Sequence, residues 1–234
     1  MDDRYADNAD HYRHVGIEGT NLLAYRDLPR LIEKYVSGKT AIDFGCGSGT
    51  STRLLRSLGF LVTGLDISPA QLQLARVADP TGDYRQIGKG DADLPIEGAA
   101  LVLSAFVFLE MRSKQDMLAA ARAVQSALAD TGLFLMVVTT QEFYGGNWLS
   151  LDTTFEENLN PQSGSKVRVR FPDIGLTLTD YFWSDPDYTQ VLNTAGFEVI
   201  ERHYPLGLAS DGFDWKDERV TAPFVIYVAR KRAD

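Results

Sequence analysis

The sequence predicts an α/β fold in which helices cover both faces of an open, mainly parallel sheet. Between residues 41 and 140, short apolar segments alternate with segments whose leucines and alanines recur at helical spacing. The apolar segments are nearly continuous, which is typical of strands buried on both faces. Two helical segments follow the N-cap residues Ser68 and Ser113, and another ends at Gly59. This alternation of strand and helix indicates a three-layer architecture.

The five strands of this part are expected at 41–44, 60–66, 84–91, 99–108 and 132–140. The sequence after residue 140 has a different pattern. Apolar and polar side chains alternate on both sides of the turn PDIG, which predicts an antiparallel hairpin over 167–171 and 176–183. A helix that begins after Ser184 and two further strands follow it. Because no linker or repeat interrupts the chain, we expect one domain with the hairpin inserted in it.

Composition and charge argue against several classes of protein. The chain has 234 residues and a formal net charge of −9. Binders of nucleic acid or of anionic membranes normally carry a basic face, so we expect neither partner. No apolar segment approaches the roughly 20 residues that a membrane-spanning helix needs. The polar N-terminus and the single cysteine, Cys46, predict a cytoplasmic protein without an intramolecular disulfide.

A glycine-rich turn at residues 43–50, DFGCGSGT, joins the first strand to a helix. A phosphate-binding P-loop is excluded because it needs a lysine that this turn lacks. A dinucleotide fingerprint needs G-x-G-x-x-G, whereas Gly45, Gly47 and Gly49 give G-x-G-x-G, which weakens that alternative but leaves it open. Asp43 lies inside the turn, where a carboxylate repels a pyrophosphate and attracts an ammonium group. The turn therefore favours a ligand with a cation at this end.

Four motifs in order resemble those of the class I S-adenosylmethionine-dependent methyltransferases. DFGCGSG is similar to the first motif, Asp66 ends the second strand, GKGDADLP places Asp91 after the third, and AALVLSAFVFLE resembles the fourth. The resemblance implies a three-layer, Rossmann-like sheet of seven strands in the order 3-2-1-4-5-7-6, with the last strand antiparallel and a β-hairpin inserted after strand 5. The layout also resembles heterocycle N-methyltransferases of the toxoflavin type.

The resemblance further implies that S-adenosyl-L-methionine binds at the carboxyl ends of the strands. In the family, the acid at Asp66 accepts the ribose hydroxyls, the acid at Asp91 meets the adenine amine, and an N-terminal helix covers the cofactor. The expected cofactor-binding residues are Asp43, Gly45, Cys46, Gly47, Asp66, Ile67, Asp91, Ala92, Ser104 and Tyr12. The expected parts of the domain are covering helices in 1–38, a cofactor-binding core in 39–140, a lid or acceptor insertion in 141–183, and a C-terminal helix with two strands in 184–234.

The acceptor is expected to be a small molecule. Residues 141–234 hold 15 of the 25 aromatic side chains, and Phe106 and Phe108 follow the fourth strand beside the expected methyl site. Aromatic walls suit a flat or apolar acceptor and can stabilise a sulfonium. Candidate residues for orienting or deprotonating the acceptor are Glu142, Tyr144 and Asp180.

The prediction from the sequence is methyl transfer to an O or N atom of an aromatic or heteroaromatic metabolite. The alternatives left open are an NAD-dependent oxidoreductase and a non-catalytic domain that binds S-adenosylmethionine for regulation. No metal is predicted, because His11 and His14, at a spacing that suits a metal, have no third ligand in view. The sequence leaves open whether the protein is a monomer or a homodimer.

Overall fold

The computed structural model describes residues 16–91 and 93–232. Tyr12 and Ala92, both expected to bind the cofactor, therefore lie outside the described residues, as do His11 and His14.

The main sheet has seven strands in the order β3-β2-β1-β4-β5-β9-β8. Its strands are β1 Thr40–Phe44, β2 Leu61–Asp66, β3 Asp83–Gln86, β4 Ala99–Ala105, β5 Leu128–Thr139, β8 Phe197–His203 and β9 Phe224–Lys231. The five strands β1 to β5 pair in parallel, and β9 is antiparallel to both of its neighbours. The predicted fold and strand order are confirmed, because the sixth and seventh strands of the expected order are β8 and β9.

Six helices lie on the two faces of this sheet in the described part of the chain. They are α1 Leu22–Tyr25, α2 Leu28–Tyr35, α3 Thr50–Ser57, α4 Pro69–Ala78, α5 Lys114–Ala127 and α6 Asp185–Thr194. One apolar core packs Leu23, Leu31 and Leu55 of the first three helices against the sheet, and the other packs α5 and α6 against the opposite face. The caps expected from the sequence form: the Ser68 and Ser113 hydroxyls accept bonds from the backbone of Gln71 and Asp116.

The hairpin consists of β6, Lys166–Phe171, and β7, Leu176–Tyr181, and it forms a separate two-stranded sheet. Its turn contains Gly175 at φ 64°, a left-handed conformation that glycine adopts without strain. Trp183, just after β7, is buried in the core on one face of the main sheet. Its indole N–H donates to the carbonyl of Met111, in the loop after β4, at 3.0 Å. The hairpin is thus held next to the loop that follows β4.

Three strand boundaries differ by three or more residues from those expected. The third strand ends at Gln86, five residues before the predicted end at Asp91, because Gly88 and Gly90 form a turn instead. The fourth ends at Ala105, three residues before the expected end, because the backbone turns at Phe106. The fifth begins at Leu128, four residues early, and runs in directly from α5. The first difference matters for function, because it moves Asp91 from a strand end to an exposed turn. Among residues 16–91 and 93–232, no helix is both long enough and apolar enough to cross a bilayer.

Candidate active site at the carboxyl edge of the sheet

The glycine turn is anchored on the end of β2. The N–H groups of Gly45 and Cys46 both donate to the carbonyl of Leu65, at 2.7 and 3.0 Å. Gly45 and Gly47 have φ values of 76° and 50°, a region that other L residues rarely adopt. A Cβ on Gly45 would lie 2.1 Å from Cγ2 of Val107, whereas one on Gly47 would meet nothing closer than 3.7 Å. Packing therefore requires the first glycine, and the second leaves open space for a ligand.

Asp43 belongs to β1 and not, as expected, to the turn itself, and it is completely buried beneath the turn. Its Oδ2 accepts hydrogen bonds from Ser51 Oγ at 2.7 Å and Thr52 Oγ1 at 2.5 Å, both in the first turn of α3. Its Oδ1 has no hydrogen-bond partner within the described residues. Burial raises the pKa of the carboxyl to about 6, although the two hydroxyls oppose this effect. A buried acceptor oxygen without a partner suits a donor group that a ligand would bring.

Asp66 joins the end of β2 to the glycine turn. Its Oδ2 accepts from the N–H of Gly47 and its Oδ1 from the N–H of Ser68, both at 2.8 Å. Since each carboxylate oxygen can accept more than one hydrogen bond, the group can still receive hydroxyl donors. Ile67 follows it with 43% of its side chain exposed, which is unusual for an isoleucine and offers an apolar surface to a flat ring.

Asp91 lies in the exposed turn after β3, where its Oδ2 accepts from the N–H of Gly88 at 2.5 Å.

Cys46 is buried and packs with Leu72 of α4 and Tyr84 of β3. Burial, followed by the charge of Asp43, raises the pKa of the Cys46 thiol. A protonated, enclosed thiol is a small packing group and not a nucleophile.

Ser104 is placed apart from the other predicted cofactor residues. In the ladder between β1 and β4, Asp43 is opposite Leu103, so the side chain of Ser104 points to the other face of the sheet. There it is fully buried, and its Oγ has no partner in the described part of the chain. The structure therefore brings Asp43, Gly45, Gly47, Asp66 and Ile67 together at one edge and leaves Ser104 inside the core.

The three residues expected to orient or deprotonate the acceptor differ in burial: Tyr144 and Asp180 are buried and Glu142 is exposed. Tyr144 is buried, and its hydroxyl lies 2.9 Å from Thr139 Oγ1. Burial, with the nearby charge of Asp180, raises the pKa of Tyr144, so the phenol keeps its proton at neutral pH. Asp180 is buried on β7 opposite Val167. Glu142 is exposed at the start of the short 3-10 turn that follows β5.

Sequence reasoning did not select Gln71 or Tyr25 at this edge, and it placed Phe106 beside the methyl site without indicating its backbone conformation. Gln71, in the first turn of α4, is buried, and its Nε2 has no partner among the described residues. Tyr25 is half-buried on α1, and burial followed by the charge of Asp43 raises its pKa. Phe106 has a positive φ of 63°. The position of Gln71 three residues after the cap Ser68 could have suggested that residue, but no local signal indicates Tyr25 or the positive φ of Phe106.

Comparison with known proteins identifies the family of the chain. A family model described as a methyltransferase domain matches residues 11–202. An N-demethylindolmycin N-methyltransferase of Streptomyces griseus is 28% identical over 170 residues, which span 70% of this chain and 72% of that protein. A methyltransferase of unassigned activity from Synechocystis is 27% identical, over 73% of this chain and 72% of the relative.

Solved structures show the same fold. An S-adenosylmethionine-dependent methyltransferase of Mesorhizobium loti superimposes with a TM-score of 0.66 and 19% identity, over 91% of this chain and all of the other. DesVI of Streptomyces venezuelae gives a TM-score of 0.65 and 19% identity, over 99% of this chain and all of the other. The chain therefore belongs to the methyltransferase-domain family, and the prediction of a class I, S-adenosylmethionine-dependent enzyme is confirmed.

Proposed function

We propose that the enzyme transfers the methyl group of S-adenosylmethionine to an O or N atom of a small aromatic or heteroaromatic metabolite. The observation that carries this proposal is the pairing of a glycine turn, flanked by the carboxylates of Asp43 and Asp66, with the partly exposed rings of Phe106, after β4, and Tyr25, on α1. The first group of residues suits the methyl donor, and the second suits the acceptor.

The residues at the glycine turn fit the methyl donor. Asp43 and Gln71 each present a buried polar atom without a partner in the described part of the chain, and Gly47 leaves space for a close approach. We assign Asp43 to the ammonium group of the methionine end, Asp66 to the ribose, and Ile67 and Asp91 to the adenine. When bound, the donor supplies a methyl group on a cationic sulfur.

The chain's own residues would mainly orient the acceptor and exclude water. Methyl transfer by in-line displacement depends on alignment, and a base is needed only where the acceptor atom must lose a proton. Tyr144 can serve as a hydrogen-bond donor because it keeps its proton, while Asp180 and Glu142 are the carboxylates that could accept one. The N-methylating relative from Streptomyces griseus supports nitrogen as one acceptor atom. A cytoplasmic location remains part of the proposal, based on the single cysteine.

Two other functions fit the site less well. Asp43 argues against an NAD-dependent oxidoreductase, since a buried carboxylate under the turn would repel a pyrophosphate. A non-catalytic domain that only senses the methyl donor would share the cofactor site, but the matching family model and the Streptomyces griseus relative are methyltransferases.

Two measurements test the proposal in sequence. Calorimetry should show micromolar binding of S-adenosylhomocysteine and none of NAD. Transfer of radiolabelled methyl groups to a panel of phenols, anilines and N-heterocycles should then give a labelled product with stoichiometric S-adenosylhomocysteine. Binding of NAD would overturn the cofactor assignment. Tight binding of S-adenosylhomocysteine without transfer to any member of the panel would favour the sensor.

A further inference from the structure

Phe106, the first residue after β4, has a left-handed backbone conformation. Its φ of 63° is rare for a residue with a bulky side chain and indicates local strain. The ladder is intact at this point, because the N–H of Phe106 donates to the carbonyl of Val137 at 2.9 Å. The chain thus turns sharply where the strand ends, and glycine could make the same turn without strain. Such an outlier at a candidate site suggests that the side chain itself is needed.

One effect of the left-handed backbone at Phe106 is that the next residue, Val107, packs against the glycine turn. Cγ2 of Val107 occupies the place where a Cβ on Gly45 would lie, within 2.1 Å of it. The backbone at Phe106 is therefore packed directly beside the residues assigned to the methyl donor.

The other effect is to set the position of the Phe106 ring. The ring meets Phe224, at the start of β9, edge to face with a centroid distance of 5.1 Å, and Tyr25 of α1 at 6.4 Å. Phe224 is buried, whereas Phe106 and Tyr25 are only half-buried. Phe108, also expected beside the methyl site, is fully buried against Phe134 and has no free face. Two aromatic side chains are thus partly accessible at the carboxyl edge, next to the cofactor turn.

We infer that Phe106, held by its left-handed backbone and supported by Tyr25, is the residue that selects the acceptor by presenting an aromatic wall to a planar π-system. This inference rests on the proposed function and extends it by naming the side chains that recognise the aromatic acceptor. Ring contacts of this kind add attraction beyond the burial of apolar area, so a flat aromatic acceptor is favoured over a saturated molecule of the same size.

The test compares two neutral probes of matched size, 2-naphthol and decahydro-2-naphthol, binding to the enzyme loaded with S-adenosylhomocysteine. In the wild type, calorimetry should show the aromatic probe binding about five- to tenfold more tightly. Phe106→Leu should remove this preference and leave the affinity for S-adenosylhomocysteine unchanged. Phe106→Gly, which eases the backbone, provides a second variant if the first folds poorly. Phe60→Leu is the control, since Phe60 is buried just before β2, at the opposite edge of the sheet.

The results separate the inference from the proposed function. Equal binding of the two probes to the wild type, or binding of neither, would overturn the aromatic wall. An unchanged preference in both Phe106 variants would overturn the role of this residue, and a matching loss of S-adenosylhomocysteine affinity would show that it acts on the donor site instead. With an acceptor that is methylated, Phe106→Leu should raise KM for the acceptor and not KM for the donor. If the enzyme preferred the aromatic probe but transferred no methyl group to any acceptor, the aromatic wall would be supported and the proposed function would be wrong.

Discussion

The backbone N–H of Gly47 donates to Oδ2 of Asp66 across 2.8 Å, so the acid at the end of β2 is bonded to the turn that follows β1. The carboxylate therefore has two functions: it holds the glycine turn and faces the region assigned to the ribose. Asp66→Ala removes both the acceptor oxygens and the bond to Gly47. We expect affinity for S-adenosylhomocysteine to fall about 10- to 100-fold, the usual value of hydrogen bonds to a charged group. Calorimetry measures the loss.

Asp130→Ala is the matched control for Asp66→Ala, because Asp130 is fully exposed near the start of β5. Its affinity for S-adenosylhomocysteine should equal that of the wild type. If Asp66→Ala bound as tightly as the control, the assignment of Asp66 to the donor would be wrong.

Gly45→Ala and Gly47→Ala should separate folding from binding. At Gly45 the new methyl group would collide with Val107, so we expect the free energy of unfolding to fall by about 2–4 kcal/mol. At Gly47 no atom is close, so the free energy of unfolding should fall only by the roughly 1–2 kcal/mol that a left-handed backbone costs an alanine. The new methyl group would instead fill the space proposed for the ligand, so affinity for S-adenosylhomocysteine should fall. Urea denaturation and calorimetry on the same samples distinguish the two effects.

Gly212→Ala supplies the control for these glycine variants. Gly212 has φ 79°, and no atom lies within 4 Å of the place that a Cβ would take, so it reports the backbone cost alone. Its loss of stability should match that of Gly47→Ala while its affinity for S-adenosylhomocysteine stays at the wild-type value. Equal affinities in the two variants would mean that the donor does not approach Gly47.

Asp43 should make donor binding depend on pH. Burial raises its folded-state pKa from 3.8 to about 6, so its contribution to stability is fully present below pH 3.8 and is lost as pH rises through 6. A ligand ammonium group prefers the ionised carboxylate, so affinity for S-adenosylhomocysteine should increase as pH rises through 6. At pH 5 we expect binding about tenfold weaker than at pH 7.5. Asp43→Asn should be weaker throughout and lack this step, and calorimetry from pH 5 to 8 measures both. A step that survived in Asp43→Asn would belong to another group.

The fold was predictable because its signals are local. The apolar strands, the caps at Ser68 and Ser113 and the turn around Gly175 each depend on neighbouring residues, and all formed as expected. The third strand ends early because the chain turns at Gly88 and Gly90. The prediction extended the strand too far because Ile87 resembles a strand residue in sequence. Apolar content alone could not place that boundary.

The candidate site was only partly predictable, since some of its residues are defined by contacts across the sheet. Asp43 and Asp66 follow from motif spacing, but Ser104 lies on the opposite face, a distinction that depends on a single step of register between β1 and β4. Tyr25 and Phe106 meet at the edge although 81 positions separate them in the sequence, and no pattern in either segment indicates the contact. The strained conformation of Phe106 is likewise visible only in three dimensions.

Glu218 should govern the order of the segments around the acceptor side. This carboxylate is completely buried in the connection between β8 and β9. Its Oε1 accepts from Thr20 Oγ1 and from the N–H of Leu149, both at 2.7 Å, and its Oε2 accepts from the N–H of Lys216 at 3.0 Å. It thereby joins the chain before α1 to the loop after β5.

In Glu218→Gln, the amide nitrogen cannot accept a hydrogen bond, so at least one buried donor loses its partner. We expect the free energy of unfolding to fall by about 1–3 kcal/mol in urea denaturation. Hydrogen exchange should accelerate at residues 19–21, at 147–151 and at Lys216 while β2 and β3 keep the wild-type rates, because the side chain of Glu218 bonds to the first three places and to neither strand. Glu156→Gln, at an exposed position in a 3-10 turn, should change neither measurement. Uniform acceleration across the sheet would show that Glu218 supports the fold as a whole and not these segments, whereas local acceleration with slower methyl transfer would place the acceptor beneath them.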